Sequence, residues 1–301
     1  MTTYRLGVLG GSGLYELDGL RDVREESIMT PFGAPSDALV HGTLGEAELV
    51  FMPRHGRGHR VAPSAVNYRA NVAALKMAGA THLLAVSAVG SMKEEIAPGD
   101  LVVVDQFIDL TRRRCSTFFS QAPARADESA EALTERGAPV AHVSFADPVC
   151  EFLAAAVADA AATTSAKVHR GGPYVCIEGP QFSTKAESKL YRSWGVDVIG
   201  MTNATEAKLA REAQLPFATL ALATDYDCWH PGHDAVNVET VVATLHANVR
   251  NAKAAIAALV SRLPDPTHSH AHHAMKGAVM TDASKISENI RARYRILGAM
   301  I

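Results

Sequence analysis

Apolar positions along the chain follow two rhythms. Short runs that are apolar almost throughout stand at 47–53 (AELVFMP), 81–90 (THLLAVSAVG), 101–110 (LVVVDQFIDL), 196–200 (VDVIG) and 217–224 (FATLALAT). Between them lie longer stretches whose apolar residues recur at helical spacing. YRLGVL at 4–9 opens the series as a strand and ends in the turn GGSG. Pro63-Ser64 opens the first helical stretch, with Ser64 placed to cap it, Val66, Ala70, Ala73 and Met77 on one face, and Gly79 at its end. Further helices are predicted over 147–162, 184–194, 203–213 and, rich in alanine, about 238–262. Strands apolar on both faces and separated by helices describe an α/β fold. Its sheet is mixed but mainly parallel, and helices cover both sides. In such sheets, sites collect in the loops at the carboxyl ends of the strands.

Two segments break the pattern. Residues 111–146 hold an arginine run followed by proline, alanine and glutamate, too long for a plain connector, so they read as a functional loop or an interface. Residues 263–274 (LPDPTHSHAHHA) read as a polar hinge, and 281–300 as a last amphipathic helix capped near Asp282. No internal repeat is visible. The expected organisation is one main domain over 1–262, with a linker and helical tail over 263–301.

Composition narrows the function. The 301 residues are 48% hydrophobic and 20% charged, enough for a large core. With a net charge of −3, the chain has no general basic field to hold a polyanion, which argues against nucleic acid as a partner. An anionic ligand would need a local pocket. No apolar run is long enough to span a bilayer, and MTTYRLGVLGGSG reads as a strand entering a turn rather than a signal peptide. Cys115, Cys150, Cys176 and Cys228 form no Cys-x-x-Cys pair, so buried, reduced thiols in a cytoplasmic protein are expected.

Candidate chemistry sits where strands end. In GGSG at 10–13, glycines can turn amides toward one point and Ser12 adds a hydroxyl, an anion cradle. Alone the motif is equally a tight turn. It fits neither a dinucleotide fingerprint, since Glu16 stands where the third glycine belongs, nor a nucleophile elbow, since Leu14 does. In RHGRGH at 54–59, Arg54 offers a fork for phosphate oxygens and His55 a further donor; the competing reading is an exposed basic loop. SAVGS at 87–91 ends a strand in small residues that fit either a crowded core or an anion. IEGPQFSTKAES at 177–188 carries Phe182, a stacking surface for a planar base or a core plug. In GMTNATEAKLARE at 200–212, Thr202 begins a helix, as anion ligand or plain cap. TDYDCW at 224–229 sets Asp225 and Asp227 two residues apart, pointing the same way if the strand continues, for acid/base work or a metal. HSHAHHA at 268–273 reads as a solvated tract rather than a metal site.

Taken together, GGSGLY, RHGRGHRVAPSAVNYRAN, EEIAPGDLVVVDQFIDLT, IEGPQFSTKAES, WGVDVIGMT and ATDYDCW, in this order over roughly residues 4–262, resemble the methylthioadenosine phosphorylase branch of the trimeric purine nucleoside phosphorylases. The resemblance implies a phosphate site at Ser12, Arg54, His55, Ser87, Ala88 and Thr202, and a ribose contact at Met201. It implies a base site at Phe182, Asp225 and Asp227, with Ser183 and Val238 tuning substrate choice. It further implies a homotrimer in which His142 of a neighbouring subunit closes the 5′ pocket. Ser12 and Ser87 stand where some relatives have threonine, which keeps the hydroxyl. The stretch 111–140 departs most from the family pattern.

The implied reaction is phosphorolysis of 5′-methylthioadenosine to adenine and 5-methylthioribose 1-phosphate. Phosphate is a co-substrate, and no metal or organic cofactor is needed. An oxocarbenium-like ribose needs a desolvated phosphate beneath it, and the departing purine needs a proton at N7. A carboxyl of raised pKa can donate that proton, and Asp225 suits the role. Rival readings are a 6-oxopurine nucleoside or methylthioinosine phosphorylase, a hydrolase of the same fold, and a non-catalytic nucleoside-binding protein.

Overall fold

Strand β1 (Arg5–Gly10) shows why its run is apolar throughout. Successive side chains leave opposite faces of the sheet, so Leu6 and Val8 enter one core cluster and Leu9 the other. The structure is a computed structural model that describes residues 4–11, 13–14, 16–119, 138–232 and 238–298.

β1 pairs in parallel with β4 (Ala47–Pro53) on one side and β5 (His82–Ser91) on the other. β5 pairs in parallel with the wholly buried β11 (Phe217–Asp225). The carboxyl ends of these four strands therefore share one edge. β5 outlasts β1, and at Gly90–Ser91 it takes up β10 (Val198–Gly200) antiparallel. Beyond β10 lie β9 (Pro173–Cys176) and β7 (Gln106–Asp109), both in parallel pairing. β6 (Leu101–Val104) runs antiparallel to β11 and carries β8 (Val168–Arg170). β2 (Arg21–Glu26) and β3 (Leu39–Leu44) extend the sheet antiparallel outside β4. Six of the ten pairings among the described residues are parallel, so the sheet is mixed with a parallel centre.

Helices cover both faces, as expected for this α/β class. α1 (Tyr68–Met77) and α4 (Asn203–Glu212) pack on the Leu9 face; α2 (Glu151–Ala161) and α5 (Val238–Leu259) pack on the Leu6 face. α3 (Lys185–Ser193) starts on a capping box between Thr184 and Glu187.

Several expectations are corrected. Ser64 does not cap α1: Pro63–Ala65 form a separate 3-10 turn, Asn67 caps the helix by accepting from the Ala70 amide, and Met77 is exposed. The run 101–110 is two strands, because the exposed Asp105 divides it and the halves pair with different neighbours. The helix expected from 147 starts at Glu151. In the tail, Asp282 caps only the 3-10 turn Ala283–Lys285; Ile286 is extended, and Ser287 caps the shorter α6 (Glu288–Tyr294). Of the cysteines, Cys150 and Cys176 are buried while Cys115 is exposed; all four are free.

The tail is fixed by core contacts. Ile286, Ile290, Tyr294 and Leu297 join the Leu9-face cluster, and the Tyr294 hydroxyl donates to the Phe118 carbonyl at 2.8 Å. Phe118 is held in turn by Glu212 of α4, whose carboxylate accepts from the Phe118 amide at 2.7 Å and the Thr117 hydroxyl at 2.6 Å. Burial pushes the Glu212 carboxyl up to about 7, against which the Thr117 and Phe118 donors work. A carboxyl raised from its ordinary 4.5 favours the fold fully below that value, and the contribution is lost as pH rises through about 7. In Glu212→Gln the amide nitrogen can donate to the Thr117 hydroxyl while its oxygen accepts from Phe118. The variant is expected to match wild type near pH 4 and to exceed it at pH 8 by up to roughly 3 kcal/mol in denaturant unfolding. An identical pH dependence in both proteins would contradict this.

Candidate active site

The shared carboxyl edge of β1, β4 and β5 is closed by one side chain. Arg54 follows Pro53 at the end of β4, and its amide donates to the Gly10 carbonyl at 2.9 Å. It is 3% exposed, so the reading of an exposed basic loop fails for Arg54 itself, although Arg57, Gly58 and His59 of the same segment are exposed. Its Nη1 donates to the Val86 carbonyl at 3.0 Å and its Nη2 to the Leu9 carbonyl at 3.1 Å. The fork also meets Glu206 of α4, through Nε to Oε1 and through Nη2 to Oε2 at 3.0 Å. Burial opposes the charge on Arg54, but the Glu206 carboxylate outweighs it and the pKa is raised.

His55 follows, stacked on His59 with ring centroids 4.3 Å apart. Its Nδ1 lies 2.8 Å from the Val61 carbonyl, which can only accept, so Nδ1 carries the proton. Burial first, then Arg54, pushes His55 down to about 4. The ring is neutral at pH 7 and presents Nε2 as an acceptor. The expected free donor is thus committed to Val61, and Nε2, as an acceptor, suits a protonated oxygen.

Ser87 is buried and Ala88 half-buried on β5. Thr202 occupies the N-cap position of α4, yet its side chain makes no capping bond. Its hydroxyl is therefore not used as a plain cap. Arg54, His55, Ser87, Ala88 and Thr202 thus cluster at this edge; Ser12 lies outside the described residues.

The second end lies where β11 stops. Asp225 and Asp227 are 8% and 4% exposed. The strand does not continue between them. Asp227 takes a left-handed φ of 51°, and its amide donates back to Asp225 Oδ1 at 2.8 Å. The turn, not strand alternation, brings the Asp225 carboxyl and the Asp227 Cβ beside Gly90. A Cβ at Gly90 would lie 3.0 Å from Asp225 Oδ1 and 3.4 Å from Asp227 Cβ. The Thr224 hydroxyl donates to Asp225 Oδ2 at 2.7 Å. Burial raises the pKa of both acids, and the charge of Asp227 adds to the effect on Asp225. The Ser188 and Ser183 hydroxyls temper Asp227 from nearby, although neither meets hydrogen-bond geometry.

The loop after β9 borders this end. Phe182 is 44% exposed, so it is no core plug. The Ser183 carbonyl accepts from Cys228 Sγ at 3.4 Å, which ties the loop to the turn after Asp227. Met201 packs over Gly179, where a Cβ would lie 2.4 Å from its Sδ. His142 is exposed; its amide donates to Ala278 of the tail, and no described contact joins it to the other candidates. Val238 opens α5, with its side chain outside the described part.

Sequence reasoning missed three residues. Glu206 fixes Arg54. Arg114, from the arginine run, donates through Nη2 to the Glu178 carbonyl at 2.9 Å and carboxylate at 3.1 Å, and through Nη1 to the Met201 carbonyl. Glu178 also accepts from the Ser64 hydroxyl at 2.5 Å and the Arg112 amide at 2.6 Å. Burial opposes its charge, yet these donors hold it at about 2. Both glutamates stand inside motif strings, but only their distant partners reveal the task.

A separate cavity of about 640 Å³ opens between α2, β6 and His268–His270; its Asp105, Glu151 and Arg170 are mixed in sign and do not converge on one point with the groups above. Among the described residues no three His, Cys, Asp or Glu side chains are grouped to hold a metal, the histidine tract included.

Comparison with known proteins bears on this arrangement. The model of the phosphorylase superfamily matches residues 5–262. The S-methyl-5′-thioadenosine phosphorylase of Geobacter sulfurreducens is 50% identical over 293 residues, covering 97% of both chains. The chain belongs to the methylthioadenosine phosphorylase branch of the phosphorylase superfamily. The S-methyl-5′-thioadenosine phosphorylase of Thermosynechococcus vestitus is 48% identical over 299 residues, covering 98% of each chain. Among solved structures, a methylthioadenosine phosphorylase from an antarctic soil metagenomic library is 43% identical, with a TM-score of 0.86 over 99% of both chains. The methylthioadenosine phosphorylase of Schistosoma mansoni in complex with adenine is 34% identical, with a TM-score of 0.77 over 98% of both chains.

The Arg54–Glu206 pair makes a test that needs no substrate. Glu206→Ala leaves a buried guanidinium without its carboxylate and is expected to cost about 3–5 kcal/mol in unfolding experiments. Arg54→Met combined with Glu206→Leu removes both charges and is expected to recover at least half of that loss. A double variant as unstable as the single one would show that the pair's charges are not what holds this edge.

Proposed function

We infer that the chain catalyses phosphorolysis of S-methyl-5′-thioadenosine, releasing adenine and 5-methylthioribose 1-phosphate. The observation that carries this reading is one sheet edge with two opposed ends. The basic, hydroxyl-lined end gathers around Arg54, Ser87 and Thr202. The acidic end is the buried Asp225–Asp227 turn at Gly90. From Ser87 to Gly90 is three residues of one strand, about 10 Å. That spacing leaves room for a ribose between a phosphate and a purine.

Arg54, Ser87, Ala88 and Thr202 hold phosphate below the anomeric carbon, with the amides at the start of α4 and Ser12 from the GGSG turn as further donors. Neutral His55 accepts from a protonated phosphate oxygen. Met201 lies under the ribose, and Phe182 stacks on the base. As the glycosidic bond breaks, negative charge gathers on the purine imidazole, and Asp225 donates its proton to N7. Burial keeps that proton available at a pH where an exposed aspartate has lost it. Asp227 accepts from the exocyclic amine. Ser183 and Val238 shape the 5′ side. A homotrimer, with His142 reaching a neighbour's 5′ pocket, completes this reading, and the exposure of His142 supports it. The reaction so written needs no metal or organic cofactor, phosphate being the second substrate.

The deciding assay follows methylthioadenosine cleavage with and without phosphate. Cleavage is expected only with phosphate; equal cleavage without it would make the protein a hydrolase, and none in either case a binding protein. On the base side, methylthioadenosine should exceed methylthioinosine in kcat/KM by a factor on the order of 10⁴. Asp225→Asn is expected to lower turnover sharply and shift the remaining preference toward the 6-oxopurine. Equal efficiency of the wild type on both nucleosides would overturn the roles given to the two aspartates.

A further inference from the structure

Tyr174 stands in the centre of β9, fully buried, and the reaction just described gives its hydroxyl no task. The ring has an ordinary packing role, among Val89, Val198, Ala204 and Ala221 and tilted against Phe107 at 5.5 Å. Phenylalanine would fill that role. The hydroxyl would not be needed, and a buried hydroxyl without a partner is destabilising. The Tyr174 Oη makes no hydrogen bond to any described residue.

Its position explains why it is there. The side chain crosses under Gly200, where a Cβ would lie 2.0 Å from Oη, so the glycine leaves the volume that the phenol occupies. The oxygen then emerges beside the Ser87 hydroxyl and the Thr202 amide, within the field of the Arg54 guanidinium, without meeting hydrogen-bond geometry to any of them. Ser87, Thr202 and Arg54 are the groups assigned above to phosphate. The Ser87 hydroxyl itself donates to the Ala88 carbonyl at 3.2 Å, a long bond for O–H···O that is easily exchanged for a better one.

We propose that Tyr174 is a positioning residue of the phosphate site: its hydroxyl donates to Ser87 Oγ and turns the Ser87 proton from the Ala88 carbonyl toward the bound anion. Tyrosine, serine and phosphate oxygen then form a chain of hydrogen bonds ending on a charge, in which each bond polarises the next. The Cβ position at Gly200 that lies 2.0 Å from Oη is also 3.3 Å from Val89 Cγ1, and Ser87 leaves the same face of β5 as Val89, two residues before it. The proposal rests on the reading of Ser87 as a phosphate ligand and adds to it the group that sets the direction of the Ser87 proton.

Three variants test it: Tyr174→Phe, Ser87→Ala and the double variant. Each is measured for steady-state cleavage of methylthioadenosine against phosphate concentration and for the rise in Tm caused by phosphate alone, a readout independent of turnover. Tyr174→Phe removes one oxygen and keeps the ring. It is expected to raise KM for phosphate about five- to tenfold, the weight of one hydrogen bond, and to shrink the phosphate-induced rise in Tm. KM for the nucleoside should stay within about twofold, and the effect on kcat should be smaller than that on KM for phosphate. Ser87→Ala should raise KM for phosphate at least as much, and adding Tyr174→Phe to it should change KM for phosphate no further. If Ser87→Ala raises KM for phosphate and Tyr174→Phe does not, Tyr174 is a packing residue and the proposal is wrong. If the two effects multiply in the double variant, Tyr174 does not act through Ser87 and the proposal is also wrong. If Ser87→Ala leaves both readouts unchanged, the phosphate assignment of Ser87 falls, and this proposal with it.

Discussion

A guanidinium that is only 3% exposed must find its charge partner and most of its acceptors inside the fold, and at Arg54 this requirement organises the edge around it. Its fork reaches the Leu9 and Val86 carbonyls, at the ends of β1 and within β5, and the Glu206 carboxylate on α4. Three strands and a helix are thereby set to one another at a single point. Glu206 lies one helical turn after Thr202, whose carbonyl accepts from the Glu206 amide at 3.4 Å. Locking Glu206 therefore also fixes where the helix N-terminus points. Arg114 and Glu178 repeat the device one strand further along, joining the loop after β9 to the Met201 carbonyl. Both clamps converge on the segment that leads into α4, which holds Met201 and Thr202.

The acidic end obeys the opposite rule. Asp225 and Asp227 are buried with hydroxyls, amides and each other rather than with cations, so burial raises their pKa values. One sheet edge thus offers a fixed positive charge at one end and, at the other, carboxyls that hold their protons to higher pH than exposed aspartates do. A reaction that brings in an anion and expels a base requires that pairing. Gly90 makes it possible, because a side chain there would press on Asp225 Oδ1 and the Ile199 side chain, both 3.0 Å from the Cβ position.

How much of this was legible in the sequence depends on whether the signal was local. β1, β4, β5 and β11 are buried on both faces, so their runs announced themselves. β2 did not, because RDVREE is an exposed edge strand with no apolar rhythm. β8 and β9, at three and four residues, were too short to show a period. Ser64 resembled a helix cap because a hydroxyl before a helical run usually is one; its real partner, Glu178, lies 114 residues away. In the same way the motifs marked Arg54, Thr202 and the two aspartates, whose side-chain chemistry is visible from residue type alone. Glu206, Arg114 and Tyr174 stayed hidden because each acts through a partner that only the fold brings near. The proton on His55 was hidden for the same reason, being set by the Val61 carbonyl.

The central claim is that phosphate and purine occupy the two ends of this edge, with Arg54 and Asp225 as their respective anchors. A crystal structure of the protein with phosphate and adenine bound together tests it most directly. The account predicts phosphate oxygens within hydrogen-bond distance of Arg54, the Ser87 hydroxyl and the Thr202 hydroxyl, and adenine N7 within hydrogen-bond distance of an Asp225 oxygen. Phosphate bound away from Arg54, or adenine seated with N7 turned from Asp225, would contradict it.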